Sequence, residues 1–522
     1  MVNLVDFQLR PIADEEAAWR SVIYLPEPVP QIPVRVRYTK QALHVSAEAV
    51  FVALFAQSAN AFWLDSSREM AGVARFSFMG DASGADVIRY SNTERRVQIE
   101  CEDGTRHEDH AARGFFHYLR ERLRRWHAAN ETLPFDFLGG FVGYLGYELK
   151  AECGGRIAHR SPFPDVGGLW VRRFVAIDHA AQEVYAVALS ESPAQDAAAS
   201  AWLADFGDRM ALVVEPPTPR TPGDPATLSF ALEMNGARYM AAVERALEYI
   251  EAGDTYEICL TNRIRGELAA DPLELYRVLR RVNPAPFAAY LRMNELAVLS
   301  SSPERFVRID RHRNVEARPI KGTAPRASDP QSDRRNAQEL ASSEKNRSEN
   351  LMIVDLLRND LGRVCEIGSV RVPELMQIES YATVHQMVST ITGRLRADMH
   401  TVDCIRAAFP GGSMTGAPKI HTMEILDELE DSARGVYSGA LGYVSLNGCA
   451  DLNIVIRTIV LQGTQLSIGI GGAIVAGSDP RAEFDEALLK GQALLDALAR
   501  YRRGDQGGAA YRIAGVLPHD SA

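Results

Sequence analysis

Five prolines crowd into ten residues, PPTPRTPGDP, at positions 216–225. Proline fixes φ and donates no N–H, so such a run forms neither a helix nor a central strand and serves as a semi-rigid extended connector. The 522-residue chain is therefore expected to divide into an N-terminal region over 1–215, a connector over 216–228 and a second region over 229–503. The Gly-rich stretch over 504–522 is expected to be a flexible tail.

Hydrophobic residues make up 46% and charged residues 24%, enough apolar surface for a large core. The net charge of −11 repels phosphate backbones and argues against nucleic acid as a partner. The first residues lack a basic segment followed by an apolar stretch, and no run approaches 18 apolar residues, so neither a secretory leader nor a membrane span is expected. Cys101, Cys153, Cys259, Cys365, Cys404 and Cys449 are scattered without a C-x-x-C pair, as suits reduced thiols and a cytoplasmic location.

Aromatic and β-branched runs at 61–64 and 73–79 read as strands. Glycines spaced among aromatics at 138–149 mark either a tightly packed bend or a ligand wall. After the connector, Asn235 caps an expected helix ending at Gly253, and TYEICLTNRI (255–264) follows as a strand with Glu257, Cys259 and Thr261 on one face. The stretches 296–309 and 314–319 read as a hairpin, 333–361 as one long helix, and 451–461 with 465–475 as a strand pair. A final helix opens at Asp479–Pro480 and runs to Tyr501. Strands that follow one another as hairpins point to an α+β fold built on antiparallel sheets.

In the last helix Glu483, Glu486 and Lys490 fall on one face, and Glu349 heads an apolar stripe of Ile353, Leu356 and Leu357. A surface ion pair accounts for Glu486 and Lys490. Oxygen ligands from two helices, with no Cys or His cluster, are the alternative and would suit Mg²⁺ holding an anionic substrate. The Gly-rich turns PGGSMTGAPK (410–419) and IGIGGAIVAGS (468–478) expose N–H groups but match no nucleotide-binding pattern. Lys321, in RPIKGTAPR, sits just past an expected strand. It is either a solvated loop lysine or a nucleophile that needs its pKa depressed by burial and by cations such as Arg318.

The strings SSPERF, RPIKGT, ENLMIVDLLRNDLGRV, PGGSMTGAPK, GALGY, the IVIRT run and the Glu-x-x-Glu helix occur in that order over 301–490. Together they resemble the chorismate-utilising family, which includes anthranilate synthase component I, aminodeoxychorismate synthase component I, and isochorismate and salicylate synthases. FWLDSS and GGFVGYLGYELK extend the likeness ahead of the connector. The resemblance implies two antiparallel β-sheets packed together with flanking helices. Anthranilate synthases carry alanine where this chain has Lys321, so the lysine points to the aminodeoxychorismate branch. Isochorismate and salicylate synthases carry a lysine base where this chain has Glu257.

By that resemblance Glu349 and Glu486 would hold Mg²⁺, with Glu483 tuning the shell, while Asn346 stands where relatives often have an acid. Ser413 would lie near the ring. Tyr437, Arg457, Ile470, Gly471, Gly472, Ala473 and Lys490 would grip the substrate's carboxylates. Lys321 would attack C2 of chorismate while Glu304 protonates the departing 4-hydroxyl, and ammonia would then add at C4 and expel the lysine. His385 would touch the substrate, or else be a structural histidine. No glutaminase motif is found, so a separate glutamine amidotransferase subunit is the expected source of ammonia. Ser66, Val73, Ala74, Arg75, Phe76, Pro286, Phe287 and Ala288 match a tryptophan-like ligand site in relatives, with ordinary core packing as the alternative. Anthranilate synthesis and a catalytically silent regulatory subunit are the competing functions.

Overall fold

The computed structural model describes residues 32–67, 74–128, 132–224, 226–380, 384–504 and 511–516. Nearly every strand joins one of two large, almost wholly antiparallel sheets. The first has twelve strands, running from Ile320–Pro325 through Val384–Arg394, Asn314–Arg318, Arg305–Ile309, Ala450–Ile454 and Ala440–Ser445 to Gly140–Leu145 and on to Arg106–His110. The second has thirteen and runs from Arg35–Ala42 through Phe76–Asp81, Asn60–Asp65, Phe287–Met293, Leu296–Ser302, Thr458–Gln462 and Gln465–Ile474 to Glu257–Glu267, Leu228–Leu232 and Tyr511–Ala514. Both sheets thus take strands from either side of the proline run, which connects regions that share their hydrogen-bond ladders. Within the stretch expected to be loose, Tyr511–Ala514 instead adds a parallel strand to Leu228–Leu232.

Alternation along the strands decides which core each residue enters. In Asn60–Asp65, Phe62 joins the layer between the sheets, whereas Ala61 and Trp63 face the helices. Between the sheets, the Phe78 ring meets Phe137 at 5.2 Å and Tyr443 at 5.8 Å. On the far side of the thirteen-stranded sheet, helices Ala47–Phe55, Gly236–Glu251, Pro272–Val282 and Pro480–Arg503 bury Phe51, Val243, Tyr276 and Leu494. Each such side chain contributes about 1.5–3 kcal/mol by leaving water. The glycines at 138–149 serve packing: a Cβ on Gly143 would lie 2.3 Å from the Gly167 carbonyl. Among the described residues no helix is long and apolar enough to cross a membrane, and the six cysteines are free.

Three expected elements are divided in the structure, and the breaks matter. The stretch 296–309 is two strands in different sheets, Leu296–Ser302 and Arg305–Ile309, with Pro303 between them. The stretch 451–461 likewise crosses from Ala450–Ile454 to Thr458–Gln462, turning at Arg457 with φ of +53°. The two crossovers are stitched together: Ile454 N donates to the Glu304 carbonyl at 3.0 Å, and Ser301 N to the Arg457 carbonyl at 3.1 Å. The expected long helix is Pro330–Ser342 followed by Glu344–Gly362. Ser343 takes an extended conformation and its hydroxyl caps the second helix at Asn346 N. A proline that removes a ladder donor and a serine that competes for helical N–H groups are local effects that periodicity alone passes over.

Candidate active site

Lys321 lies within strand Ile320–Pro325, whose register against Val384–Arg394 slips between Ile320 and Thr323. That irregularity holds Lys321 and Gly322, the latter at φ +86°, and re-aims the lysine side chain inward. Lys321 is 7% exposed. Its Nζ donates to Glu257 Oε1 at 2.6 Å and lies 3.9 Å from Glu349 Oε2. Burial favours the neutral amine, but the Glu257 and Glu349 carboxylates outweigh it and hold the pKa above the ordinary lysine value. The expected direction is therefore reversed in the free protein. Arg318, the cation invoked to lower this pKa, is instead paired with Glu379.

Glu304 emerges from the first crossover and is buried, accepting a 2.8 Å hydrogen bond from Ser413 Oγ. Burial raises its pKa to about 7, against the smaller opposing effects of Ser413 and the Lys321 charge. At neutral pH it is poised to hold or release a proton.

The last helix brings Glu483 and Glu486 against the helix of Glu349. Their carboxylates gather around Lys345, whose Nζ is 2.6 Å from Glu483 Oε1 and 3.9 Å from Glu349 Oε1 and from Glu486 Oε2. Glu486 also pairs with Lys490 at 2.8 Å. At Glu486 burial opposes the charge, yet Lys490 and Lys345 hold the carboxyl below its ordinary range. At Glu349 burial prevails and raises it. The donor set is hard oxygen, as Mg²⁺ prefers, and Glu483 Oε2 is buried without a hydrogen-bond partner. As they stand, however, no three acidic, His or Cys groups among the described residues are spaced to hold a metal. The Lys345 ammonium stands among them.

The strand Gln465–Ile474 brings Ile470, Gly471, Gly472 and Ala473 alongside. Lys490 Nζ donates to the Gly471 carbonyl at 3.0 Å, and a Cβ on Gly472 would lie 3.3 Å from Glu483 Oε2 and 3.5 Å from Lys490 Nζ. Tyr437 is buried, which pushes its phenol pKa up, and it packs so closely that a Cβ on Gly469 would meet its ring at 2.0 Å. Arg457 donates to the Lys490 carbonyl, and burial lowers its pKa.

His385 is buried and committed at both nitrogens, Nδ1 to Ser380 Oγ at 2.8 Å and Nε2 to Asp333 Oδ1 at 3.0 Å. Its geometry is that of a tie between strand and helix. Glu257 and Lys345 were given no role by sequence reasoning. Alternation had placed Glu257 on the face opposite Tyr256, and the structure leaves Tyr256 65% exposed with Glu257 fully buried. Glu257 Oε2 has no hydrogen-bond partner.

The matches to a tryptophan-like ligand site lie elsewhere. Ser66, Ala74, Arg75, Phe76, Pro286, Phe287 and Ala288 line a separate cavity of about 600 Å³ that also takes in Arg305, Arg308 and Tyr443. Val73 lies outside the described residues.

This arrangement has recognisable counterparts. Residues 76–496 match the family model described as chorismate binding enzyme. The chain is 47% identical over 499 residues to aminodeoxychorismate synthase of Streptomyces pristinaespiralis, covering 94% of this chain and 69% of that one. It is 40% identical over 380 residues to aminodeoxychorismate synthase component 1 of Salmonella typhimurium, covering 70% and 80%. Its similarity to the crystal structure of anthranilate synthase component I from Streptococcus pneumoniae has a TM-score of 0.67 at 27% identity, over 81% and 92% of the two chains. Across the first curated relatives the chain spans between 52% and 69% of their own length. With the family model matched over most of its length, the chain belongs to the chorismate binding enzymes.

Proposed function

We propose that this chain aminates chorismate at C4, giving 4-amino-4-deoxychorismate on the way to 4-aminobenzoate, with Lys321 as a transient nucleophile. The observation that carries the reading is the burial of Lys321 between Glu257 and Glu349 in a site that also holds a carboxyl poised near neutrality. A solvated loop lysine would have none of these neighbours.

Lys321 becomes nucleophilic by passing its proton to Glu257 Oε1, 2.6 Å away. The neutral amine bonds to C2, the two conjugated ring double bonds each shift one position towards C4, and the C4–oxygen bond breaks as Glu304 protonates the departing hydroxyl, which leaves as water. Ammonia then bonds to C4, both double bonds shift back, and the C2–nitrogen bond breaks to release the lysine as an amine. The new C4 ammonium returns a proton to Glu304, and Glu257 returns its own to Lys321. Ser413, bonded to Glu304, positions the acid. Arg457 and Tyr437 face the enolpyruvyl carboxylate, and Lys490 supplies charge beside them. His385, tied to Asp333 and Ser380, holds in place the strand Val384–Arg394, against which the irregular Lys321 strand is paired.

Magnesium would be held by Glu349 and Glu486 with Glu483 beside them, and would neutralise the ring carboxylate when bound. The name of the Salmonella relative marks it as one component of an assembly, which supports a separate glutamine amidotransferase as the ammonia source. The second cavity is read as a site for a tryptophan-like ligand.

The test is mass spectrometry of the intact protein quenched after exposure to chorismate without ammonia. The expected result is an adduct of chorismate less water, mapped to Lys321. Amination at full rate by a Lys321→Ala variant, with no adduct on the wild type, overturns the nucleophile. Direct anthranilate fluorescence, with no added lyase, overturns the product assignment.

A further inference from the structure

We propose that Lys345 is a built-in counter-cation that competes with the divalent ion for Glu349, Glu483 and Glu486, so that metal affinity is set by an ammonium the ion must displace. This rests on the magnesium reading above. Four buried or half-buried carboxylates, Glu257, Glu349, Glu483 and Glu486, meet here with three ammonium groups. Two of those ammonium groups are committed. Lys321 is locked to Glu257, and Lys490 bridges Glu486 and the Gly471 carbonyl.

Lys345 alone reaches all three of the acids in question, and its contact with Glu483, at 2.6 Å, is the tightest. Glu483 is 1% exposed and Glu349 7%, so neither can turn to water to shed its charge, and each requires a cation close by. Lys345 can leave. Its side chain is 40% exposed, against 1% for that of Glu483. It lies in the first turn of its helix, where the exposed N–H groups disfavour a positive charge, so the carboxylates and not the helix hold it there.

A cation that replaces this ammonium finds Glu483 Oε1 already oriented by Ser478 Oγ at 2.6 Å, and Oε2 with no bond to lose. The ammonium thus keeps the carboxylates gathered in the free protein and swings to solvent when the metal arrives. Lys345 is a positioning residue here, with no contact to the reacting atoms.

Calorimetric titration of the whole chain with Mg²⁺, in the absence of chorismate, tests the idea. Lys345→Gln removes the competing charge and is expected to bind Mg²⁺ about tenfold tighter than the wild type. Its melting temperature without metal should fall, and should rise more steeply when Mg²⁺ is added. Lys345→Arg keeps the charge and should bind no tighter than the wild type. A structural role alone predicts weaker binding in both variants. Equal or weaker binding by Lys345→Gln, with wild-type binding intact, overturns the role of Lys345 and leaves the magnesium reading standing. Absence of Mg²⁺ binding by all three proteins overturns both. Should Lys345→Gln fail to fold without metal, recovery of its folded signal at Mg²⁺ concentrations below those that saturate the wild type supports the proposal, and failure to recover overturns it.

Discussion

Glu304 and Arg305 are neighbours in sequence and serve two different places. Glu304, in the crossover, closes on the lysine–carboxylate cluster, while Arg305 opens the next strand and lines the 600 Å³ cavity. Around the cavity the arginines are matched by carboxylates: Arg305 Nε and Nη2 grip Asp451 at 3.0 Å each while its Nη1 reaches Glu316 at 2.7 Å, Arg308 and Arg311 share Asp136, and Arg75 Nε and Nη2 grip Asp178 at 2.8 and 2.6 Å. In the cluster charge is shared and unfinished. Three lysines serve four carboxylates, and Glu257 Oε2 and Glu483 Oε2 have no hydrogen-bond partner. Forked arginine–carboxylate pairs fix geometry and resist change. A buried network with unmet acceptors holds a structure only until something better arrives. The contrast separates a cluster whose charges are still open to a new partner from a cavity whose arginines are already matched.

The largest expected effect lies in the cluster. Lys321→Ala removes both the proposed nucleophile and the counter-charge of Glu257 and Glu349. Amination of chorismate with ammonium is expected to fall by about 10³-fold or more, with the covalent adduct lost. Chorismate binding, followed by calorimetry, should weaken far less. A variant that keeps more than a tenth of the rate would place the chemistry elsewhere.

Glu304→Gln separates chemistry from stability. As a general acid Glu304 must be protonated, so kcat/KM of the wild type should decline as pH rises past about 7, and the variant should lose about 10²–10⁴-fold in kcat with that limb gone. Stability should move the other way. The folded pKa lies above the unfolded one, so protonated Glu304 contributes stability that is complete below about pH 4 and lost as pH rises through 7. The neutral amide escapes that loss, and the variant is expected to gain about 1–3 kcal/mol over the wild type at pH 8, read by denaturant titration. A variant that is destabilised at pH 8 would show that the carboxylate is held by contacts stronger than its burial.

Much of this was legible in the residues, and the remainder fails for identifiable reasons. The cap at Asn235, the Asp479–Pro480 start of the last helix and the strand around Glu257 each follow from side chains acting within one turn or one pleat. The acids and lysine carried over on ordered motifs do meet, because two helices and one irregular strand converge on them. What alternation misses is any place where the chain changes sheet. The stretches 296–309 and 451–461 look continuous because both halves are apolar, yet Pro303 and Arg457 redirect them. Lys345 was passed over since two of its three partners are 138 and 141 positions away on the last helix. The sign of the Lys321 shift was misjudged for the same reason: Arg318 is near in sequence, but Glu257 is near in space.

Gly472→Ala is expected to have an intermediate effect. Its Cβ would press on the side-chain ends of Glu483 and Lys490, at 3.3 and 3.5 Å, and not on backbone. Folding should survive with a small change in melting temperature, while KM for chorismate rises by roughly tenfold as the room beside the acids closes. An unchanged KM would remove the Gly471–Gly472 backbone from the substrate's surroundings.

The smallest effect belongs to the second cavity. Arg75 keeps a half-exposed side chain, but Asp178 is buried, so Arg75→Ala leaves that carboxylate on the Ala180 and Ala181 N–H groups alone and should cost about 1–3 kcal/mol in stability. The rate with ammonium should stay within about twofold of the wild type, because no atom of the cluster moves. Any inhibition of amination by added tryptophan should weaken severalfold, since the guanidinium that lies 4.9 Å from the Phe76 ring is part of the cavity wall. If Arg75→Ala lowers the basal rate as much as Gly472→Ala raises KM, the two places are not separate, and the arginine–carboxylate contacts around the cavity are instead part of what holds Glu304 in position.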